Sequence, residues 1–481
     1  MIEWICPEAG GETIIARVKM PMHSIISLDP TRELLMNSIE SISDQHFDVA
    51  VVGAGVAGSM AALLCARQGL KTLLIERQTF PRHKVCGGCL NGRAVQILRK
   101  EGLEPGLQRL LPTTTGSLSV RYGHRRLDLP MPPSVAVSRR TFDQWLMNEA
   151  MESGCVVVQN VTATVETLPC DVSDGSGPIH ESSANERTVA LRRTAETQAT
   201  KLHFENQPDL RSAGAEGFGP ETGPTTGMEP LPRNSESARG RVSAKIVLVC
   251  DGLGHPSLQH LPGYEAVARP GSRIGLGAVF ARTPADDWIR RGEILMAVAK
   301  FGYVGIVDVE DNQLDLAAAI DPTHLHRTKS PLASLQCLFD SVGLSPPQEL
   351  GHAVIKGTLP LTRTAKRIAG QRIFLLGDAT GYVEPFTGEG MAWALTAASA
   401  IIPLVVGSVR SGWSDDFSAQ WRTSFDGIVA GEQSICRLLS ATLKRPWLLP
   451  PVLTTCRFFP SITRRIVRIL NRVPEGVEIR P

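Results

Sequence analysis

Gly53, Gly55 and Gly58 form a Gly-x-Gly-x-x-Gly run between an apolar β-like stretch and an Ala/Leu-rich helical one. At such a junction the first glycine permits a tight turn. The second lets backbone approach a pyrophosphate, and the third lets helix pack on strand. Ala57 shares the loop. A helix start presents free N–H groups and the positive end of its dipole to phosphates. Glu76 ends the next apolar run, with Arg77 beside it. A carboxylate there accepts both hydroxyls of an adenosine ribose. Together these residues predict a dinucleotide site.

A second glycine-acid pair, Gly377-Asp378, closes the apolar run "FLL", with "EPFTGEG" and an Ala-rich segment behind it. Asp378 can accept a hydrogen bond from a ribityl hydroxyl, and the helix that follows can face a flavin's polar edge. Two such loops far apart in the chain point to a bipartite FAD site. Between them lies Cys86-Gly87-Gly88-Cys89. Three chemistries fit that spacing: a redox disulfide, half a zinc site, or a glycine loop passing close to a ligand. No second Cys-x2-Cys occurs, so no metal site is expected. His83 and Lys84 flank the cysteines and read as a solvated edge, with phosphate or substrate contact as the alternative. Tyr303, in "FGYVGIV", either lines a substrate cavity or packs in a sheet. Cys86 and Tyr303 are the two candidates for a catalytic role.

These residues need an α/β frame. Residues 47–76 read strand, glycine turn, helix, strand, the parallel β-α-β unit. "NGRAVQILRKEGL" and "SRRTFDQWLMNEAMESG" have helical spacing, and "CVVVQNVTATVETL" reads as one strand. The expected organisation is a leader, loosely held, over 1–45, then a FAD-binding part over 46–115. Substrate-sheet strands follow at 116–138 and a second FAD-binding part at 139–169. Residues 170–240 form a polar Gly/Ser/Pro-rich insertion with short β-like pieces, "TVALRR" and "TKLHF". A third FAD-binding part covers 241–260, a substrate-binding β-sheet domain with one helix near "SPLASLQCLFDSVG" covers 261–355, and a fourth FAD-binding part covers 356–410. A helical C-terminal region fills 411–481. The fold class is therefore α/β: a Rossmann-like FAD-binding domain interleaved with a β-sheet substrate domain and followed by a helical tail.

The segments "VGAGVAG…ERQTFPRHKVCGG", "VSRRTFDQWL", "VLVCDGLG" and "LLGDATGYVEPFTGEGMAWAL" occur in that order. Together they resemble the geranylgeranyl reductase branch of the p-hydroxybenzoate hydroxylase superfamily of flavoproteins. The likeness runs from Phe47 to Val409, outside the 170–240 insertion. It implies FAD, with adenosine at Glu76 and pyrophosphate at Gly53, Gly55 and Gly58. Arg139 and Asp378 would border the phosphate and ribityl chain. Cys86, Gly87 and Gly88 would pass the flavin face, with Cys89 as a small apolar filler. Pro385, Gly388 and Gly390 would let backbone approach the ring. NAD(P)H or another donor would reduce the flavin. It would then reduce a C=C bond of a prenyl or other lipophilic substrate, or hydroxylate a substrate with oxygen. One departure stands out: four residues after Asp251 the family has a serine, and this chain has His255.

Net charge is +2 in 481 residues, which excludes a global attraction to nucleic acid. Ten cysteines are too sparse for a disulfide scaffold, so a reducing cytoplasmic compartment is expected. The N-terminus carries Glu3, Glu8 and Glu12 and does not read as a signal peptide. The uncharged run after Glu389 is long enough to cross a bilayer, but its Ala content and Pro403 favour a buried core helix. The tail mixes Trp447, Leu448, Phe458 and Phe459 with Arg457, Arg464, Arg465, Arg468 and Arg472. It reads as a helical cap on the flavin domain or as a peripheral membrane contact. Beside the flavin enzyme two other readings stay open: a disulfide oxidoreductase using Cys86 and Cys89, and a lipid escort that has lost its flavin.

Overall fold

The computed structural model describes residues 38–166, 186–194, 239–384 and 388–430, with Cys436, Arg445 and 449–458. Two large sheets organise them. The first runs β17 (Ala369–Gly370), β18 (Ile373–Leu375), β9 (Arg239–Val249), β1 (His46–Val52), β2 (Thr72–Ile75), β6 (Val156–Val158). Its core pairings are parallel: Val49 sits opposite Thr72 in β2, and Val52 opposite Val249 in β9. A parallel sheet must be covered on both faces, and the apolar run of β1 reflects that. Val49 and Val51 face a core with helices α2 (Val56–Arg67), α5 (Arg139–Glu152) and α8 (Glu389–Ser411). Ala50 and Val52 face a core with β7 (Val161–Val165), β8 (Arg187–Arg193) and Tyr264.

The second sheet runs β15 (Lys356–Pro360), β11 (Ile274–Ala281), β14 (Gln313–Ile320), β13 (Gly302–Val309), β12 (Glu293–Ala299), β4 (Thr113–Tyr122), β5 (Arg125–Ala136), β3 (Cys89–Leu90). Alternation sorts its side chains. Leu295 and Ala297 join α7 (Pro331–Asp340) in one core, while Met296 and Val298 join Tyr303 on the opposite face. A small third sheet, β10 (Ala266–Ala268), β16 (Arg363–Ala365), β19 (Gly381–Tyr382), lies beside the Gly377-Asp378 loop in sequence. Helices α3 (Gly92–Lys100) and α4 (Glu104–Arg109) follow the cysteine loop.

Several local expectations change. Residues 38–45 are not a loose leader: Ser38 caps the short helix α1 (Ile39–Ile42), and Ile39 and Ile42 are buried. The strand expected after Cys155 is two, β6 and β7, broken where Asn160 takes φ 58°. The second sheet holds two helices after β14 rather than one. Asp321 caps α6 (Pro322–Thr328), whose first residue is proline, a pattern that marks a helix start. The β-like piece "TVALRR" is indeed strand, as β8, and the insertion ends earlier than 240, since β9 begins at Arg239; "TKLHF" lies outside the described residues.

Helix α8 has the length and apolar character of a membrane span, yet most of it is buried in the protein. Small residues explain the burial: Ala392, Ala394, Ala397 and Ala398 share a core with Ala57, Ala61 and Ala62 of α2. The described helices of the C-terminal region beyond α8 are α9 (Asp415–Phe425), a π-helical turn at Asp426–Ala430 and α10 (Leu449–Phe458). Trp421 of α9 is fully buried, and its indole N–H donates to the Leu375 carbonyl at 3.3 Å. The tail thereby braces the strand that ends at Gly377-Asp378. Trp421→Ala should cost about 3–5 kcal/mol, read as a lower urea midpoint with an unchanged transition slope.

Candidate functional site

The glycine loop is built by contact. Gly53 takes φ +99°, in the left-handed region. A Cβ on Gly58 would overlap the Gly53 carbonyl, so only glycine lets α2 start this close to β1. Gly55 is the N-cap of α2 and supplies no side-chain cap. The first N–H groups of that helix therefore remain for a ligand. Glu76 is buried: its Oε2 accepts the Ala54 N–H at 2.9 Å and its Oε1 the Gln78 N–H at 3.0 Å. The carboxylate thus ties the loop to the end of β2, with lone pairs to spare.

Three cations converge on Gly55. A Cβ placed there would meet the Nη2 atoms of Arg139 at 3.7 Å and Arg82 at 3.8 Å, and Lys84 Nζ at 3.9 Å. Asp143, one turn after Arg139 on α5, holds two of them. It takes Arg139 in a fork with both distances 2.7 Å, and Arg82 Nη1 at 3.0 Å. Burial works against its charge, but the guanidiniums of Arg139 and Arg82 hold its carboxyl below the usual range. Arg82 also lies 3.6 Å from Glu76. Lys84 pairs with Asp378 at 3.3 Å and links the two glycine-acid loops. This cradle of helix N–H groups and three cations has the chemistry to hold a pyrophosphate.

Lys84 is therefore not a solvated edge, and His83 is half-buried with a buried, unpartnered Nδ1. Burial, then Lys356, Arg139 and Arg82, push its imidazole down to about 4. Arg77 is exposed and does not join the cradle; Arg82 stands there instead. Arg82 carried no signal in the sequence beyond its charge. The fork between Arg139 and Asp143 at i, i+4 on a predicted helix was the clue available.

A cavity opens beside the cradle. Gly55, Ala57, Cys86, Gly87, Gly377, Asp378, Gly388 and Gly390 border it, as does Arg139. Gly88 lies beneath, held between Asp315 and the Val137 carbonyl. Pro385 lies outside the described residues. The opposite wall is the second sheet, with Ile294, Met296, Ile306, Val307 and Ala317, and Leu361 just after its edge strand β15. Tyr303 lines this wall and also packs in the sheet core. Tyr382, unforeseen, faces the same space. Burial pushes both phenols well above their usual range, and nearby carboxylates push the same way: Glu384 for Tyr303, Asp378 first for Tyr382. Both stay protonated. Behind Tyr303 a buried ion pair, Arg273 to Glu384 at 2.8 Å, anchors this end.

Cys86 and Cys89 are free thiols, both pushed up by burial. A thiol disfavoured as thiolate is a poor exchange nucleophile. Cys89 pairs with Ala136 across β3 and β5 and packs tightly under Gly388. In the Asp251 loop the aspartate accepts the Ser257 N–H at 2.9 Å, while Gly252 borders the cavity. His255 contacts the carbonyls of Ala379, at 3.0 Å, and Tyr264. In the serine's place it ties this loop to the residue after Asp378.

Residues 46–404 match the FAD binding domain family. The chain belongs to that family. It is 23% identical to the "Probable electron transfer flavoprotein-quinone oxidoreductase YdiS" of Escherichia coli, covering 90% of this chain and 91% of that protein. It is 26% identical to a menaquinone reductase of Mycolicibacterium smegmatis, over 84% and 86% of the two chains. Protein FixC of Salmonella typhimurium is 32% identical over 79% and 80%. The flavin-dependent brominase Bmp2 shares the fold, with a TM-score of 0.63 at 17% identity over 89% and 94%. So does PqsL, a probable FAD-dependent monooxygenase from Pseudomonas aeruginosa, with 0.60 at 15% over 85% and 100%. The protein is an FAD-dependent oxidoreductase of the p-hydroxybenzoate hydroxylase type, an enzyme and not a flavin-free escort. Its cradle fits that cofactor's pyrophosphate.

Two outcomes follow. Lys84→Ala should raise the FAD dissociation constant about tenfold, measured by flavin fluorescence quenching, with the apoprotein still folded. Burial and the neighbouring Glu310 push the Asp315 carboxyl well above the usual carboxylate range, against the pull of Arg139. Its folded pKa is raised, so its stabilising effect is full below the unfolded value and fades as pH rises toward the folded one. Asp315→Asn should therefore gain on the parent as pH goes from 5 to 8, compared by urea melts.

Proposed function

We propose that the enzyme is a reductase of a lipophilic small molecule, with NAD(P)H or another donor supplying the electrons. One observation carries this reading: the cavity wall contributed by the second sheet is apolar over Ile294, Met296, Ile306, Val307 and Ala317. Cations and carboxylates gather on the nucleotide side. An anionic aromatic substrate would need a charged partner on the sheet wall, whereas a prenyl chain or a quinone ring gains from the apolar one. The relatives named for quinone and menaquinone support the same class. The resemblance of the ordered sequence motifs to geranylgeranyl reductases favours a C=C bond as the reducible group.

FAD bound in the cradle supplies the hydride transfer. The chain's own residues bind, orient and exclude water. Arg82, Lys84 and Arg139 hold the diphosphate end, and Asp143 keeps two of them aligned. Met296 and Ala317 shape the space for the substrate. Tyr303 and Tyr382 bring the protonated phenols that can hydrogen-bond a substrate oxygen or complete a reduction with a proton. The enzyme works in the cytoplasm, in peripheral contact with the membrane that stores such a substrate.

The test is anaerobic. Enzyme reduced with NADPH and mixed with menadione or a prenylated quinone should reoxidise without oxygen. Met296→Trp, which fills the cavity, should slow that step at least about tenfold while NADPH still reduces the flavin. Reoxidation that requires oxygen and yields a hydroxylated product would replace this reading with a monooxygenase.

A further inference from the structure

The centre of the second sheet carries an opening that its own packing does not need. Across the register Met296 stands opposite Gly305, Gly305 opposite Ala317, and Ala317 opposite Gly277. Strands β13 and β14 lie inside the sheet, with a paired strand on each side. Every residue of β13 is buried except Gly305. Between Leu314 and Ile320 every residue of β14 is buried except Ala317. Both border the cavity beside the cradle. The sheet wall is therefore bared almost to its backbone at one cross-strand pair.

The glycines of this sheet have different reasons. A Cβ on Gly302 would overlap the Ala319 carbonyl, and one on Gly277 would press on Val85 of the cysteine loop, 2.9 Å from its Cγ1. A Cβ on Gly305 would meet Met296 Sδ at 2.8 Å and nothing else nearer than 3.8 Å. Gly305 lies outside the left-handed region, so no turn asks for it. A glycine inside a strand weakens the strand and often marks a close approach. What approaches Gly305 is a thioether, the end of a flexible side chain. The rest of Met296 is held among Leu118, Val120 and Tyr303 and is 3% exposed. A methyl group at position 305 would turn the thioether toward the open side, which is the cavity that Met296 already lines.

We propose that Gly305 is the specificity-determining residue of the sheet wall: it gives the Met296 thioether a place to lie and so keeps room for the chain that a prenylated ring carries beyond a bare one. The proposal rests on the reading of a lipophilic substrate and names the residue that sets its width. Methyl-branched carbon gains dispersion contacts on a floor of Gly305 and Ala317, where nothing holds it off the sheet. A bare ring needs less of that floor.

Equilibrium binding to the oxidised, FAD-loaded protein tests it without turnover. Menadione and a naphthoquinone bearing a short prenyl chain are titrated against flavin fluorescence, and the ratio of their dissociation constants is read. Gly305→Ala should move that ratio about tenfold or more against the prenylated quinone. Met296→Ala placed in the same chain should bring the ratio back, because the displaced thioether is gone. Ala317→Val narrows the same floor from the neighbouring strand and should move the ratio in the direction of Gly305→Ala. A purely structural glycine predicts a lower melting temperature with the ratio unchanged. An unchanged ratio, no recovery in the double variant, or a parent that does not bind the prenylated quinone overturns the proposal. Anaerobic reoxidation of the reduced parent by menadione reports separately on the reductase reading: it can fail while the binding ratio still shifts.

Discussion

The buried carboxylate of Asp143 is the interaction on which the site depends. It sits one helical turn from Arg139 and takes both that guanidinium and the one from Arg82. Alone, either arginine would be a costly buried charge, and Asp143 likewise. Together the one carboxylate offsets part of the two positive charges and leaves a net positive cluster with N–H groups directed at the Gly55 position. The first turn of α2 adds its own uncapped N–H groups to the same point. A site that must accept a doubly charged pyrophosphate is thus preorganised before the ligand arrives, so the binding energy is not spent on gathering cations.

Positioning this cluster requires close packing on the nucleotide side. Helices α2 and α8 approach through alanines and glycines, and α5 lies beside α2 with Phe142 and Leu146 in the same core. Ser138, the cap of α5, is in turn clamped from the second sheet: its N–H donates to Glu310 at 2.9 Å, and its hydroxyl reaches the other carboxylate oxygen. The residue before Arg139 is therefore set by the substrate side. Lys84 and His255 link the remaining loops, one to Asp378 and the other to the carbonyl of Ala379. The cavity lies where the two sheets face each other, and its two walls differ in chemistry because they belong to different sheets.

Much of this was legible before any coordinates. The glycine run, Glu76 and Gly377-Asp378 could be assigned because their spacing reflects local backbone geometry: a turn, a helix start, a strand end. The apolar periodicities of α5 and α8 were readable for the same reason. Arg82, Lys84 and Asp143 were not. Arg82 and Lys84 meet acids far away in sequence, and a lone basic residue in a loop looks the same whether it meets water or a buried acid; that Asp143 also takes Arg82 is recorded nowhere along its helix. Arg77 neighbours Glu76 along the chain, but the end of β2 leaves it exposed. Tyr382 went unnoticed because a single tyrosine after a turn has no period.

The sequence by itself determined the cofactor class and the α/β frame, since both are written in short-range patterns that a few residues satisfy alone. It also separated the buried α8 from a membrane span through composition. Only the tertiary structure decided which charges are shared, which wall of the cavity is apolar, and that Cys89 is a buried and Cys86 a half-buried thiol, both unactivated. Those properties are sums over neighbours brought in from several strands and helices. Burial raises or cancels a charge only when the chain has closed around it, and no spacing along the sequence records that closure.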